Sequence, residues 1–182
     1  EEQLIQIETH RLGPFNEHLS EESVVFDLMI HDLEVIAALV DSPIESVNAF
    51  GVDPKSRTID HAVAQVQFKS GVLGTLTASH VTHDKVRTLS VVTQESYIKL
   101  DYQKQSITVR QAGQEGTTML SNQTGYRTKT VTESPYIQTR EPLKNELEHF
   151  LNCVATRTQP RVDGRTGTDA VRLARAVVDQ IT

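Results

Sequence analysis

HAVAQVQFKSGVLGTLTAS, residues 61–79, alternates apolar and polar side chains on both sides of a Lys69-Ser70-Gly71 turn. A period of two with a glycine-containing turn between its halves marks a β-hairpin that turns one face toward a core. The same period runs upstream through Ile44 to Phe50 and downstream through Arg87 to Thr93, Ser96 to Asp101 and Ser106 to Arg110. Gln94-Glu95 reads as a tight hairpin and Gln103-Lys104 as a second turn, so these segments together predict a mostly antiparallel meander.

Outward from the meander the pattern becomes helical. Leu4 to Leu12 is one more strand, ended by Gly13-Pro14, and a polar loop from Asn16 to Glu22 follows it. Ser23 then stands as a cap before Val24 to Val40, which is too long and too continuously apolar for a surface helix and stops at Asp41-Ser42-Pro43. This helix is expected to be largely buried. Ala112 to Thr139 is rich in Gly, Thr, Ser, Asn and Gln and reads as a long excursion or lid, with one strand near Tyr126 to Val131. Two helices close the chain. In the first, Leu143, Leu147, Phe150, Leu151 and Val154 recur at helical spacing after Pro142, with an end near Thr156-Arg157; the second starts near Thr168-Asp169, with Thr168 as its cap.

The expected fold is α+β, an open, mostly antiparallel sheet with helices packed on one face, in a single domain over residues 1–182. If the other face carried apolar alternation too, it would need a partner, which makes homo-oligomerisation through the sheet an expectation.

Composition narrows the function. The 182 residues carry 18 basic and 24 acidic side chains for a net charge of −6, which argues against nucleic acid or a membrane surface as partner. Cys153 is the single cysteine, cannot form an internal disulfide, and fits a reducing cytoplasm. No apolar run approaches the roughly 20 residues of a spanning helix, and an acidic start without methionine suggests a piece of a longer protein.

Chemistry concentrates in DLMIHD, residues 27–32. Asp27 and His31 are four apart and share one side of an α-helix whose other residues are nearly all apolar. A carboxylate and an imidazole there must pair, meet a ligand or stay neutral. An imidazole suits the loss of a hydroxyl proton as its carbon gives up a hydride, and Asp27 would orient it or bind a substrate hydroxyl. The alternative is that the two satisfy each other or nearby backbone in a polar pocket. Arg11 at the end of the first strand, Asn16, Asp32 and Tyr126 are further candidate substrate contacts, with His18, Arg127 and Tyr136 nearby in the loops. Metal binding is not expected: the scattered histidines, His80 and His83 among them, lack helical ligand spacing.

Several stretches together resemble the Gfo/Idh/MocA oxidoreductases. They are VVFDLMIHDLEVIAALV at residues 24–40, HRLGPF at 10–15, DHAVAQVQFKSGVLGTLTAS at 60–79 and EPLKNELEHFLNCVATRTQP at 141–160, in the family's order over nearly the whole chain. The resemblance is to the family's C-terminal domain and implies a glyceraldehyde-3-phosphate-dehydrogenase-like C-terminal fold. It also implies His31 as acid/base with Asp27 beside it, an NAD or NADP cofactor bound mainly by a preceding Rossmann domain, and a sugar or nucleotide-sugar substrate. The family's third contributor, a lysine in a Glu-Lys-Pro motif of that Rossmann domain, has no counterpart here, nor has its G-x-G-x-x-G turn. Met29 stands where many relatives have glycine, and DLMIHD is similar to a UDP-N-acetylglucosamine 3-dehydrogenase-like subgroup.

The expectation is therefore the substrate-binding half of a dehydrogenase acting on a CH–OH group, inactive by itself. The competing reading is a non-catalytic dimerisation or ligand-sensing module of the same descent. Hydrolase and deaminase readings lack a nucleophile elbow and a Cys/His zinc signature.

Overall fold

The computed structural model describes residues 2–16, 21–112 and 130–181. Eight strands form one sheet: β1 (Leu4–Leu12), β2 (Ile44–Val52), β3 (His61–Phe68), β4 (Leu73–Ser79), β5 (Val86–Thr93), β6 (Ser96–Asp101), β7 (Ser106–Ala112) and β8 (Thr130–Glu133). Their order across the sheet is β2-β3-β4-β1-β5-β6-β7-β8. The expected meander is thus two meanders, β2-β3-β4 and β5 to β8, with β1 inserted between them. β1 runs parallel to β4 and antiparallel to β5, and every other pairing is antiparallel.

The turns sit where local chemistry puts them. Gln94 and Glu95 alone join β5 to β6, and Gly71 takes φ 87° in the β3–β4 turn, a conformation that costs glycine little because it has no Cβ. The strand near Tyr126 to Val131 falls partly on residues 113–129, outside the described residues, as does most of the Ala112 to Thr139 excursion; β8 begins at Thr130.

Alternation buries one face. Ile7 and Thr9 of β1, Ala62, Ala64, Val66 and Phe68 of β3, and Leu76 and Ala78 of β4 point under the helices, where each large apolar side chain contributes about 1.5–3 kcal/mol by leaving water. Above them lie Val25, Met29, Leu33 and Ile36, and then Ala174 and Val177. The opposite face carries Glu8, Gln65, Thr75, Thr77, Thr88 and Lys99, with Phe50, Val52 and Leu73 exposed among them. It is a mainly polar, one-sided alternation.

The helical segment expected over Val24 to Val40 is composite. Val25–Met29 forms a π turn, closed by the Ile30 N–H donating to the Val25 carbonyl five residues back, and α1 (Ile30–Leu39) follows. Ser23 begins it, its Oγ accepting from Val25 N–H at 3.3 Å and its carbonyl from Phe26 and Asp27. Burial is confined to the sheet side, and Phe26, His31 and Leu39 are exposed, so the segment is less buried than its apolarity suggested.

α2 (Pro142–Thr156) begins and ends as expected. Proline sits in its first turn, the Glu141 carboxylate accepts from Lys144 N–H at 2.7 Å, and Arg157 turns left-handed at its end. Yet Leu143, Leu147, Phe150, Leu151 and Val154 are each more than half exposed, so its apolar stripe is left largely uncovered by the described elements. α3 (Gly164–Ile181) starts four residues before the expected Thr168 cap. Asp163 caps it instead, taking the N–H groups of Arg165 and Thr166 at 3.0 and 2.8 Å, while Thr168 bonds back to the Gly164 carbonyl. α3 lies against α1 and β2, and it comes so close to β2 that a Cβ on Gly51 would stand 2.9 Å from Ile181 Cγ2.

Candidate functional site

Because β1 and β4 are parallel, their C-terminal ends coincide, with Leu12 opposite Ser79. The loops beyond are tied together: Gly13 N–H donates to the Ser79 carbonyl at 2.9 Å, and Thr82 donates to the Gly13 carbonyl through its N–H and its hydroxyl. The polar side chains gather around this junction in two clusters.

The first is built on His80, the residue after β4. Its N–H donates to the Asp60 carbonyl at 2.8 Å, and its Nε2 lies 2.8 Å from Asp27 Oδ2. His80 is almost fully buried and Asp27 about three-quarters buried. Asp60 completes the group. Its carboxylate accepts from Lys55 N–H at 2.7 Å, Ser56 N–H at 2.8 Å and Ser56 Oγ at 2.6 Å. Burial alone would raise its pKa, but the Ser56 and Lys55 hydrogen bonds and the charge of His80 outweigh it and hold the carboxyl below the usual aspartate range.

The pairing of Asp27 with His31 expected from their spacing is therefore corrected: Asp27 pairs with His80. The physical reason is a competing partner: His80, almost fully buried at the end of β4, brings its Nε2 to 2.8 Å from Asp27 Oδ2 and occupies that oxygen. Asp27 turns inward to His80 and His31 faces solvent, making no side-chain hydrogen bond to any described residue.

The second cluster joins Arg11 to Asp32. Two parallel bonds link them, Nε to Oδ2 at 3.0 Å and Nη2 to Oδ1 at 2.7 Å, with side chains only 12% and 3% exposed. Burial works against the Arg11 cation, but the hydrogen bonds and charge of Asp32 prevail and raise its pKa above the ordinary value. The guanidinium also lies 5.9 Å from the centre of the Tyr102 ring. Burial raises the Tyr102 phenol, Asp32 adds to the rise, and Arg11 opposes it. Beyond this pair a cavity of about 750 Å³ opens over β5, β6 and β7, lined among others by Arg11, Arg87, Tyr102 and Ile107.

The structure thus brings Arg11 and Asp32 together, sets Asp27 in a neighbouring cluster and leaves His31 on the open side of α1. Asn16 is exposed just past β1, and Tyr136 is 92% exposed. Tyr126, with His18 and Arg127, lies outside the described residues. Among the described residues no three His, Cys, Asp or Glu side chains are grouped as a metal's ligands.

Sequence reasoning passed over His80, Asp60, Tyr102 and Arg87. Metal-ligand spacing, the only sequence test applied to His80, does not bear on its pairing with Asp27, which lies 53 residues away. The available signal was its place directly after the alternating run that ends at Ser79.

Against known proteins, residues 6–99 match the model of the GFO/IDH/MocA C-terminal domain. The chain is 29% identical over 171 residues to UDP-N-acetylglucosamine 3-dehydrogenase of Acidithiobacillus ferrooxidans, covering 94% of this chain and 52% of that protein. The chain therefore spans about half the length of the curated relative it matches. The solved structure of that organism's enzyme superposes with a TM-score of 0.85 at 25% identity, over 99% of this chain and 54% of the other. The WlbA dehydrogenase from Bordetella pertussis, solved with NADH and UDP-GlcNAcA, shares the fold with a TM-score of 0.67 at 14% identity, over 98% of this chain and 52% of that one.

Proposed function

Because the chain belongs to the GFO/IDH/MocA family, whose C-terminal domain it matches over residues 6–99, we propose that it is the substrate-binding half of an NAD(P)-dependent dehydrogenase. The substrate is a sugar or nucleotide sugar oxidised at a CH–OH group. Similarity along 94% of the chain to a UDP-N-acetylglucosamine 3-dehydrogenase supports the reaction class. The observation that carries the site is the combination of a buried Asp27–His80 pair with a solvent-open imidazole four residues further on.

In this reading His31 is the acid/base. Its exposed ring is free to take the proton of a substrate hydroxyl, as an imidazole does near neutral pH. Asp27 is held by His80 at one carboxylate oxygen and keeps the other for a substrate hydroxyl. Arg11 and Asp32 hold each other in a two-bond pair, so Arg11, fixed from behind by Asp32, serves as a rigid wall of the substrate cavity. Asn16, exposed just past β1, and Tyr126 are proposed as further contacts on sequence grounds.

A nicotinamide dinucleotide needs a glycine-rich turn from strand into helix for its phosphates. The described residues do not fit one: Gly71-Val72-Leu73-Gly74 leads from β3 into β4. We therefore assign the cofactor's seat to a separate, Rossmann-type domain. The exposed apolar stripe of α2 is consistent with a covering domain. Residues 1–182 then act as one substrate and dimerisation domain, with Phe50, Val52 and Leu73 on the outer sheet face available for a homo-oligomer contact. Cys153, the single and buried thiol, suits a reducing cytoplasm.

The test is His31→Ala in the full-length protein. Turnover of a nucleotide sugar with NAD or NADP should fall about 10²–10⁴-fold while the cofactor's Kd changes little. Near-normal turnover would remove His31 from the role.

A further inference from the structure

Arg11 on β1 stands directly opposite Arg87 on β5, both on the helix-side face of the sheet. Like charges facing each other across strands destabilise a sheet unless something neutralises them. Asp32 does so for Arg11. Nothing described does so for Arg87, whose Nε is buried with no hydrogen-bond partner. A buried guanidinium N–H left unpaired is costly, and its usual explanation is a ligand or water that belongs there.

The surroundings point to the charge of that ligand. Arg87 lines the 750 Å³ cavity together with Lys85 and Arg140, and none of the three has a carboxylate partner among the described residues. Asp101 is the one carboxylate on the lining, and it is engaged elsewhere, accepting from Gln103 and Lys104 N–H groups at 3.0 Å each and pairing with the Lys104 ammonium. The Arg140 wall is built in. Gln105 Nε2 donates to the Arg140 carbonyl at 2.8 Å and Gln105 Oε1 accepts from the Arg140 N–H at 2.9 Å, clamping this segment onto the β6–β7 turn. On the floor, Leu100, Tyr102 and Ile107 give an apolar and aromatic surface.

We infer that this cavity seats the diphosphate of a nucleotide-linked substrate, with Arg87, Lys85 and Arg140 as its cationic ligands and the Tyr102 side as the surface for the attached organic group. The inference deepens the dehydrogenase reading and rests on it for the word substrate; the anion site itself stands on the geometry alone. Guanidinium groups suit phosphate oxygens because their N–H fork bonds two at once. A cavity of this size holds a ligand larger than a free monosaccharide. The enzyme would then discriminate nucleotide sugars from free sugars through contacts remote from the oxidised carbon.

The test is calorimetric titration of the full-length protein with inorganic pyrophosphate, without nicotinamide cofactor. Saturable one-site binding is expected, with Kd weakened about tenfold or more in both Arg87→Met and Arg140→Met. It should be unchanged in Lys69→Met, whose side chain does not line the cavity. Should Arg87→Met unfold, Arg140→Met carries the test, since Arg140 is exposed. UDP should displace pyrophosphate, and NADH should not. No saturable binding at millimolar pyrophosphate, or binding that both methionine variants leave intact, overturns the site. Displacement by NADH as effective as by UDP overturns the substrate assignment. Failure of the dehydrogenase reading would show separately, as pyrophosphate binding that persists in a protein turning over no sugar nucleotide.

Discussion

Replacing Asp32 by asparagine removes one charge and little volume, and the structure sets what that should cost. Arg11 keeps a side chain only 12% exposed and loses its counter-charge and one of its two short bonds, because the asparagine amide oxygen still accepts but its nitrogen cannot, at a position only 3% exposed. The remaining guanidinium then faces Arg87 across the β1–β5 ladder with no counter-ion. Breaking a buried pair from one side costs about 3–5 kcal/mol, because a charge is stranded in poorly solvated surroundings. Against a total stability of about 5–15 kcal/mol this is a large fraction. At about 2–4 °C per kcal/mol for a domain of this size, the thermal midpoint should fall by roughly 6–20 °C. Urea unfolding followed by far-ultraviolet circular dichroism at pH 7 gives the free energy directly. Arg11→Met strands the aspartate instead and should cost a similar amount, whereas the double variant Arg11→Met/Asp32→Leu should recover most of the loss, since well-packed apolar groups replace such pairs at little net cost. Asp179→Asn is the control, because the Arg175–Asp179 pair is 68% and 54% exposed and should change stability by less than about 0.5 kcal/mol. An Asp32→Asn loss under about 1 kcal/mol, or a double variant no better than the worse single one, would refute the account of a charge-compensated wall.

Asp60 gives a pH-dependent counterpart. Its pKa is depressed in the folded state, so its contribution is complete above the unfolded aspartate value near 4 and is lost as pH falls through the lower folded value. Asp60→Asn should cost about 1–3 kcal/mol at pH 7, and the gap to the native protein should narrow below about pH 4; urea midpoints at pH 7, 5 and 3.5 check it, and a constant gap would refute it. Titrating NADH into the 182-residue chain should release no measurable heat up to tens of micromolar, because no described strand-to-helix glycine turn offers a phosphate seat. Micromolar binding would overturn the assignment of the cofactor to a separate domain.

What the sequence made legible was what neighbours in the chain decide. The Gln94-Glu95 hairpin, the proline start of α2 and the period-two runs of β3 and β4 need only local geometry, and each lies where its pattern said. The start of α3 was misread because Thr168 is a good capping residue in isolation, while Asp163, five positions earlier, already satisfies the first free N–H groups. Position in the sheet was hidden altogether: nothing local to Leu4–Leu12 says that it separates two meanders. Nor does the spacing of Asp27 and His31 announce a π turn, since the same residues are compatible with an unbroken α-helix. Spacing in an apolar helix brought Asp27 and His31 to notice and the resemblance to a known family implied their role, but neither revealed that His80 is Asp27's partner.

The insertion of β1 is what makes one site from these scattered residues. Parallel pairing with β4 puts the ends of both strands at one edge, so Arg11 arrives beside the loop that carries His80, although the two are far apart in the chain. Antiparallel pairing with β5 simultaneously sets Arg11 opposite Arg87 and opens the line of helix-side residues that continues through Leu100 to Ile107. A one-residue slip of β1 would turn Arg11 to the outer face and His10 or Leu12 toward Asp32, losing the ion pair and the cavity wall together. That register is guarded by burial of Ile7 and Thr9, both essentially inaccessible, on the same face as Arg11. The hydrophobic pattern of an ordinary strand therefore fixes the address of a charged residue, and substitutions at Ile7 that weaken the register should disturb the cavity before they unfold the sheet.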